Sequence, residues 1–192
     1  MNNPLDTSFF DEALVFATNA HHGTERRGKG YPYIIHPMEA VTIVATITND
    51  PEMLAAAVLH DTVEDTEVTL DQIRERFGER VAVLVEHESA PSGGGSWHER
   101  KETQIAQLAH APYDSKIVAL GDKLSNMRAI ATDYRVMGEA LWSRFHAPHG
   151  KSDIEWYYRS LTEAMAALSD QPAYQEFKGL VETVFSKSNI EL

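Results

Sequence analysis

The sequence has no cysteine and no apolar stretch long enough to cross a membrane. Without cysteine, the 192-residue chain can form neither a disulfide framework nor a thiolate centre. A membrane-spanning helix needs about 20 consecutive apolar residues, and no run in the sequence approaches that length. The acidic, polar start MNNPLDTS also lacks the basic region of a signal peptide. We therefore expect a cytoplasmic protein without a membrane partner.

Basic residues are scarce as well. The chain has 17 Lys and Arg against 29 Asp and Glu, which gives a net charge of −12. A field of this sign opposes binding to a polyanion, so we expect no nucleic-acid partner. A small phosphorylated nucleotide can still be held by a metal ion and a local basic cluster. The clearest such cluster is Arg26-Arg27-Gly28-Lys29.

Segments with the alternating pattern of β-strands are nearly absent. Apolar spacing near 3.6 residues instead predicts an all-α fold, with about eight to ten helices in one compact domain over residues 1–192. Capping boxes are predicted at Thr69–Gln72 and at Ser152–Glu155, the second opening a helix to about Leu168. Separate helices are expected at about 114–130 and 137–145. The Gly-rich segment at about 89–96 is either a mobile loop beside the site or a simple linker.

Four residues are candidate metal ligands because each follows an apolar run, which would place its polar head at the edge of the core. A lone histidine in such a place is more often a satisfied core residue. A buried carboxylate, in contrast, destabilises the fold unless it is paired or bound to a metal. Two imidazoles and two carboxylates suit Mn²⁺, Fe²⁺ or Zn²⁺ better than Ca²⁺. The four candidates are His36, His60, Asp61 and Asp122.

Two further acidic residues, Glu64 and Asp65, follow Asp61 at helical spacing. Residues three and four apart share one face of a helix, so both carboxylates can approach the same side as Asp61. Carboxylates beside a metal can orient a water molecule and take its proton. The ordinary alternative is a solvated helix end, and the local sequence alone leaves both readings open.

In their order and spacing these residues resemble the HD superfamily, and more narrowly the (p)ppGpp hydrolase domains of RelA/SpoT proteins and the small alarmone hydrolases. The resemblance extends over about residues 8–170. The segments that carry it are His21-His-Gly23, Arg26-Arg27 to Gly30, Tyr31-Pro-Tyr33-Ile-Ile-His36-Pro37, Ala55-Ala-Ala-Val-Leu-His60-Asp61-Thr-Val-Glu64-Asp65-Thr66, Phe77-Gly78 and Asp122-Lys-Leu-Ser-Asn126-Met-Arg128.

The resemblance implies a helical HD-domain fold and a role for each matched residue. His36, His60, Asp61 and Asp122 would hold one Mn²⁺-like ion, and Glu64 and Asp65 would position and activate the attacking water. The reaction would remove the 3′-pyrophosphate of guanosine tetra- or pentaphosphate, leaving GDP or GTP and pyrophosphate. The residues that would contact this substrate are Arg26, Arg27, Asn126 and Tyr157. Taken alone, Arg26 and Arg27 also fit a solvated loop, Asn126 a helix surface and Tyr157 helix packing. We expect a monomer or a homodimer.

Two departures from the family pattern lie at the expected rim of the pocket. The chain has Glu86-His-Glu-Ser89 where the family commonly has a Val-Thr-Lys-like stretch, and it has Ala129 where many alarmone hydrolases have Thr. Both leave the metal ligands untouched and weaken the assignment of the nucleotide. Two alternatives therefore stay open: an HD phosphohydrolase acting on a nucleoside monophosphate, an adenosine alarmone or the 2′-phosphate of NADPH, and a module that binds a nucleotide without turning it over.

Overall fold

A computed structural model describes residues 5–89 and 95–186, and this part of the chain is built from helices without a β-strand. The all-α prediction is therefore confirmed. The Gly-rich loop expected at about 89–96 falls mostly on residues 90–94, which lie outside the described ranges. The helices are α1 (Ser8–Ala20), α2 (Ile35–Val44), α3 (Pro51–Leu59), α4 (Thr62–Asp65), α5 (Leu70–Phe77), α6 (Glu79–Glu88), α7 (Trp97–His110), α8 (Tyr113–Met137), α9 (Lys151–Ala164) and α10 (Pro172–Val184), with 3₁₀ segments at Gly138–Arg144 and Ala166–Leu168.

Helix starts follow local capping chemistry at three places. Thr69 and Gln72 form the predicted capping box at the start of α5, and Ser96 forms another with Glu99 at the start of α7. Asp50 caps α3 by accepting hydrogen bonds from two backbone N–H groups, those of Glu52 and Met53. These caps fix where the three helices begin, and α3 leads directly into His60.

The capping box expected at Ser152 is wrong. Helix α9 begins at Lys151, two residues before the expected start at Asp153, and its N-cap is Gly150 with φ 55° instead of Ser152. The Ser152 hydroxyl donates to the His149 carbonyl at 3.0 Å, and the Glu155 carboxylate pairs with Arg159 one turn later at 2.8 Å. The helix also ends at Ala164 instead of Leu168, and a 3₁₀ turn follows.

Helix α8 is a single helix of 25 residues that ends at Met137. The expected break near residue 130 does not occur because Ile130 and Ala131 are buried and continue the packed face of the helix. Gly138, with φ 55°, stops the helix. The segment expected as a helix at 137–145 is instead the 3₁₀ stretch that follows.

Helix α8 runs through the centre of the fold and packs against α2, α3, α6 and α10, while α1 lies on α3 and α7 lies on α9. Close packing of α2 on α8 depends on Gly121, since a Cβ at this position would lie 2.8 Å from Val44 Cγ2 and 2.9 Å from the Ala40 carbonyl oxygen. None of the helices described is long and apolar enough to span a membrane.

Candidate active site

The four predicted metal ligands come from three neighbouring elements and meet at one point. His36 lies in the first turn of α2, His60 and Asp61 lie in the turn that follows α3, and Asp122 lies in the middle of α8. The Nε2 atoms of His36 and His60 and a carboxylate oxygen of Asp122 all lie within 4.8 Å of one another. The Oδ2 atom of Asp61 lies 3.0 Å from His60 Nε2 and 3.4 Å from His36 Nε2. These four side chains therefore present ligand atoms to one small volume.

Backbone and side-chain contacts set the tautomer of both imidazoles. The Nδ1 atom of His60 lies 2.8 Å from the Ala57 carbonyl oxygen, which can only accept a hydrogen bond, so Nδ1 carries a proton. The Nδ1 atom of His36 lies 2.8 Å from Ser125 Oγ, whose own proton is donated to a carboxylate of Glu39. With the proton on Nδ1, a neutral ring directs its Nε2 lone pair to the shared volume, as metal-binding histidines do. Without a cation there, burial lowers the pKa of His60, but the carboxylates of Asp61 and Asp122 outweigh burial and raise this pKa well above its usual range.

The buried Nε2 of His60 provides the test of whether an ion fits. His60 is 1% exposed, and its Nε2 makes no hydrogen bond with any described residue, although Asp61 Oδ2 lies 3.0 Å away. Buried polar atoms normally have a partner. The Nε2 atoms of the two histidines lie 3.0 to 3.6 Å from carboxylate oxygens of Asp61 and Asp122, and such convergence on one volume is the arrangement expected of ligands around a cation. The donor set therefore fits a divalent ion.

The two carboxylates of the cluster are held in the anionic form. Burial raises the pKa of Asp122, but the adjacent Lys123 ammonium and the two imidazoles outweigh it and keep the pKa well below its usual range. Burial also raises the pKa of Asp61, but the contacts with His60 and His36 lower this pKa by more. The pKa of Asp61 therefore lies well below its usual range. The Tyr33 hydroxyl donates to Asp61 Oδ2 at 2.6 Å. Burial and the charge of Asp61 raise the pKa of Tyr33, so this hydroxyl keeps its proton and remains a donor.

A cavity of about 690 Å³ opens onto the cluster. Glu64 and Asp65, on the short helix α4, line this cavity beside Asp61 and are exposed to it. All the predicted substrate-contacting residues line it too. Besides the candidate ligands His36, Asp61 and Asp122, the predicted residues in its wall are Arg26, Arg27, Glu64, Asp65, Asn126 and Tyr157.

Asn126 links the basic loop to the metal cluster. Its side-chain amide donates to Asp122, and its carbonyl oxygen accepts a hydrogen bond from Arg26. Arg26 also lies over the Tyr33 ring, 5.3 Å from its centroid. Arg27 contacts His146 at 3.0 Å instead of an acidic residue. In this loop, Arg26 is therefore connected to the candidate metal ligands through Asn126, whereas Arg27 lies at the rim of the cavity.

The cavity also contains charged residues that the sequence interpretation did not single out. Lys101 of α7 lies over the Tyr157 ring at 4.7 Å, and burial lowers its pKa to about 8. Lys123 contacts Asp122 and lies 3.3 Å from Glu88, whose pKa burial raises to about 7. Lys123 follows Asp122 within the matched motif, and Glu88 lies in the stretch that departs from the family. The local sequence therefore offered a reason to place both residues near the site. The local sequence gave no such reason for Lys101, because only the packing of α7 on α9 brings this residue to the cavity.

Comparison with known proteins places these residues in a family context. A family model described as HD domain matches residues 13–147. The chain is 33% identical over 208 residues to a protein of Oryza sativa subsp. japonica named putative GTP diphosphokinase RSH1, chloroplastic, a match that covers 98% of this chain and 23% of that protein. It is 43% identical over 121 residues to the Mus musculus guanosine-3′,5′-bis(diphosphate) 3′-pyrophosphohydrolase MESH1, covering 61% of this chain and 66% of that protein. In both cases the match spans less than two thirds of the relative's length.

The fold is also that of a solved structure. A metazoan ortholog of SpoT, described as hydrolysing ppGpp and playing a role in starvation responses, superposes with a TM-score of 0.75 at 23% identity, over 98% of this chain and 100% of the other. At this identity the likeness concerns the arrangement of helices. It agrees with the helical HD-domain fold expected from the sequence.

Proposed function

Because this chain belongs to the HD-domain family, we propose that it is a metal-dependent phosphohydrolase that removes the 3′-pyrophosphate of guanosine tetra- or pentaphosphate, giving GDP or GTP and pyrophosphate. One observation carries the proposal: buried ligand atoms converge at the end of a cavity whose wall also contains two acidic residues and a basic loop. The name of the mouse relative, a guanosine-3′,5′-bis(diphosphate) 3′-pyrophosphohydrolase, supports the choice of substrate.

The metal would be held by His36, His60, Asp61 and Asp122, with Mn²⁺ proposed as the native ion and Fe²⁺ or Zn²⁺ as substitutes. When bound, such an ion supplies Lewis acidity toward a phosphate oxygen and toward the attacking water. The protein contributes the orientation of the ligands, through the Nδ1 contacts of the two histidines and the Tyr33 hydroxyl on Asp61.

Glu64 and Asp65 would act on the water. Their carboxylates lie in the cavity wall next to Asp61, where they can orient a water molecule toward the phosphorus atom and accept its proton. The water oxygen bonds to the phosphorus atom that is attached to the 3′-oxygen of the nucleoside. The bond between this phosphorus and the 3′-oxygen breaks at the same time. The 3′-oxygen leaves with a proton as a hydroxyl, and pyrophosphate is released.

The remaining substrate contacts would come from Arg26, Arg27, Asn126 and Tyr157. Arg26 donates to Asn126, and Asn126 in turn donates to Asp122, so this pair can set the distance between the nucleoside and the metal. Lys101 and Lys123 are cations in the same cavity and can neutralise the charge of the pyrophosphate group. We further propose that the enzyme is cytoplasmic and works as a monomer or homodimer.

The test is incubation of the purified protein with ppGpp and Mn²⁺, with the products separated by ion exchange. We expect GDP and pyrophosphate from the wild-type protein, none from Asp61→Asn, and a rate lower by roughly 10²–10⁴-fold for Glu64→Gln, because a general base contributes about that factor. Glu75→Gln, an exposed glutamate of α5, is the matched control and should keep the wild-type rate. Intact ppGpp after prolonged incubation of metal-loaded protein would contradict the proposal.

A second candidate is an HD phosphohydrolase that acts on another nucleotide. The observation that favours it is Ala129, which lines the cavity where many alarmone hydrolases have Thr. A panel with nucleoside monophosphates, adenosine alarmones and NADPH distinguishes the candidates, since release of orthophosphate instead of pyrophosphate identifies the second one. Tight nucleotide binding without turnover of any member would indicate a sensing module.

A further inference from the structure

A chain of polar residues runs from His36 in α2 to Glu176 in α10. His36 Nδ1 lies 2.8 Å from Ser125 Oγ, and this hydroxyl donates to Glu39 Oε2 at 2.8 Å. The other oxygen of Glu39 accepts from Arg128 Nη1 at 3.1 Å, and Arg128 makes two further bonds, of 2.6 and 2.8 Å, to Glu176 of α10. Ser125 is 2% exposed, whereas Glu39 is 37% exposed, so the chain connects the buried ligand to the surface.

The direction of these hydrogen bonds follows from what each group can do. A carboxylate only accepts, so the single proton of the Ser125 hydroxyl points to Glu39. The oxygen of Ser125 then has only lone pairs left for His36, and Nδ1 must be the donor. This places the proton of the neutral imidazole on Nδ1 and leaves Nε2 with the lone pair that a metal requires. If the hydroxyl pointed the other way, Nε2 would carry the proton and could not bind a metal.

We propose that Glu39 and Ser125 are positioning residues that keep His36 in the Nδ1–H tautomer, and that Arg128 and Glu176 hold Glu39 in place. The inference rests on the metal centre of the proposed function and is independent of which nucleotide is hydrolysed. Neither Glu39 nor Ser125 lines the cavity, so neither contacts substrate, and both act through His36.

The first test is the affinity of the metal-free protein for Mn²⁺, measured by titration calorimetry. Loss of an outer-shell partner of a metal-binding histidine typically weakens metal binding by about 10–100-fold. We expect a loss of this size for Ser125→Ala and for Glu39→Gln, whose amide can donate to Ser125 and turn its hydroxyl toward His36. Ser125→Thr keeps the hydroxyl and should stay within a few-fold of the wild type.

The chain offers a matched control on the same helix. Ser115 is also 2% exposed, and its Oγ lies 2.7 Å from Nδ1 of another histidine, His87. Ser115→Ala therefore removes a buried contact between serine and histidine at similar structural cost but should leave the Mn²⁺ affinity unchanged. Glu12→Gln, which breaks the exposed pair with Arg76, is the control for Glu39→Gln. Equal losses in control and test variants would show a general effect on folding and overturn the proposal.

The second test reads the tautomer directly. In protein labelled with ¹⁵N-histidine, long-range ¹H–¹⁵N correlation of metal-free samples over a pH series distinguishes the two neutral tautomers of His36 from the doubly protonated ring and reports which ring nitrogen carries the proton. We expect Nδ1–H in the wild type and in Ser125→Thr, and Nε2–H in Glu39→Gln. The same tautomer in all three overturns the proposal, even if Mn²⁺ affinity changes. A wild-type protein that binds no Mn²⁺ would instead contradict the metal centre itself.

Discussion

The contact between α2 and α8 at Gly121 can be tested by adding a single methyl group. In Gly121→Ala the new Cβ would lie 2.8 Å from Val44 Cγ2 and 2.9 Å from the Ala40 carbonyl oxygen, closer than ordinary contact, which begins at 3.4 Å. The carbonyl belongs to the backbone of α2 and cannot rotate away, so the two helices must separate by roughly half an ångström. Overpacking of this kind costs about 1–3 kcal/mol. The better helix propensity of alanine offsets up to about 1 kcal/mol.

Subtracting the second effect from the first leaves a loss of about 0–3 kcal/mol, and we expect Gly121→Ala to lower the free energy of unfolding by about 1–2 kcal/mol, the middle of that range. For a domain of this size that corresponds to a fall in Tm of about 2–8 °C. The helices that separate carry His36 and Asp122, so the spacing of the ligand atoms changes as well. Mn²⁺ affinity should fall by about tenfold or more, as it does when ligand geometry loses its support.

The control is Gly179→Ala in α10, where a new Cβ would have nothing within 4 Å. This substitution should stabilise the protein by about 0.5–1 kcal/mol, because it removes a flexible residue from a helix interior. Urea unfolding of both metal-free variants and calorimetric titration with Mn²⁺ provide the comparison. If Gly121→Ala is as stable as Gly179→Ala and binds Mn²⁺ like the wild type, the account of close helix approach is refuted.

Three further predictions concern the cap of α3, the buried Glu88 and the metal. Asp50→Ala removes two hydrogen bonds at the start of α3 and should cost about 1–2 kcal/mol in urea unfolding, whereas Asp50→Asn should retain most of the cap. Burial raises the pKa of Glu88 from 4.5 to about 7, so between these values the folded carboxyl keeps a proton that the unfolded one has released. The stability of the metal-free wild type relative to Glu88→Gln should therefore fall as pH rises through that window and stay constant above it. A difference that rises with pH would contradict this sign. Mn²⁺ at 100 times its Kd should add about 2.7 kcal/mol of stability, or about 5–10 °C in Tm, and His60→Gln should abolish the shift.

Local sequence patterns predict a large part of this fold. Helical periodicity and the Thr69 capping box depend on residues within one or two turns, and both agree with the structure. Likewise, each candidate ligand lies beside an apolar segment, which tells where its side chain enters the core. The structure places His36, Asp61 and Asp122 with Glu64 and Asp65 in the wall of one cavity and His60 directly behind them, while their chemical roles stay predictions.

Some features depend on competition between alternative local contacts or on packing between helices that are far apart in sequence. Local sequence patterns could not predict these features. Ser152 matches the capping pattern, but Gly150 starts the helix first and Glu155 finds Arg159 as a partner. Glu39 and Ser125 are separated by 86 residues and have no shared pattern. Their contact exists only because α2 and α8 pack face to face, which a sequence reading of either helix alone does not contain.

Helix α8 also shows how binding of a divalent ion at the proposed site would be coupled to stability. Within two turns it provides the close approach to α2, one ligand, the lysine that neutralises it, the serine behind His36 and the amide that holds the basic loop. These residues are Gly121, Asp122, Lys123, Ser125 and Asn126. A buried carboxylate destabilises the metal-free fold unless cations surround it, so the same residues that prepare the site also keep α8 in the core. Helix α10 packs on α8, and Glu176 holds Arg128, so a continuous chain of hydrogen bonds joins α10 to His36 through Glu39 and Ser125.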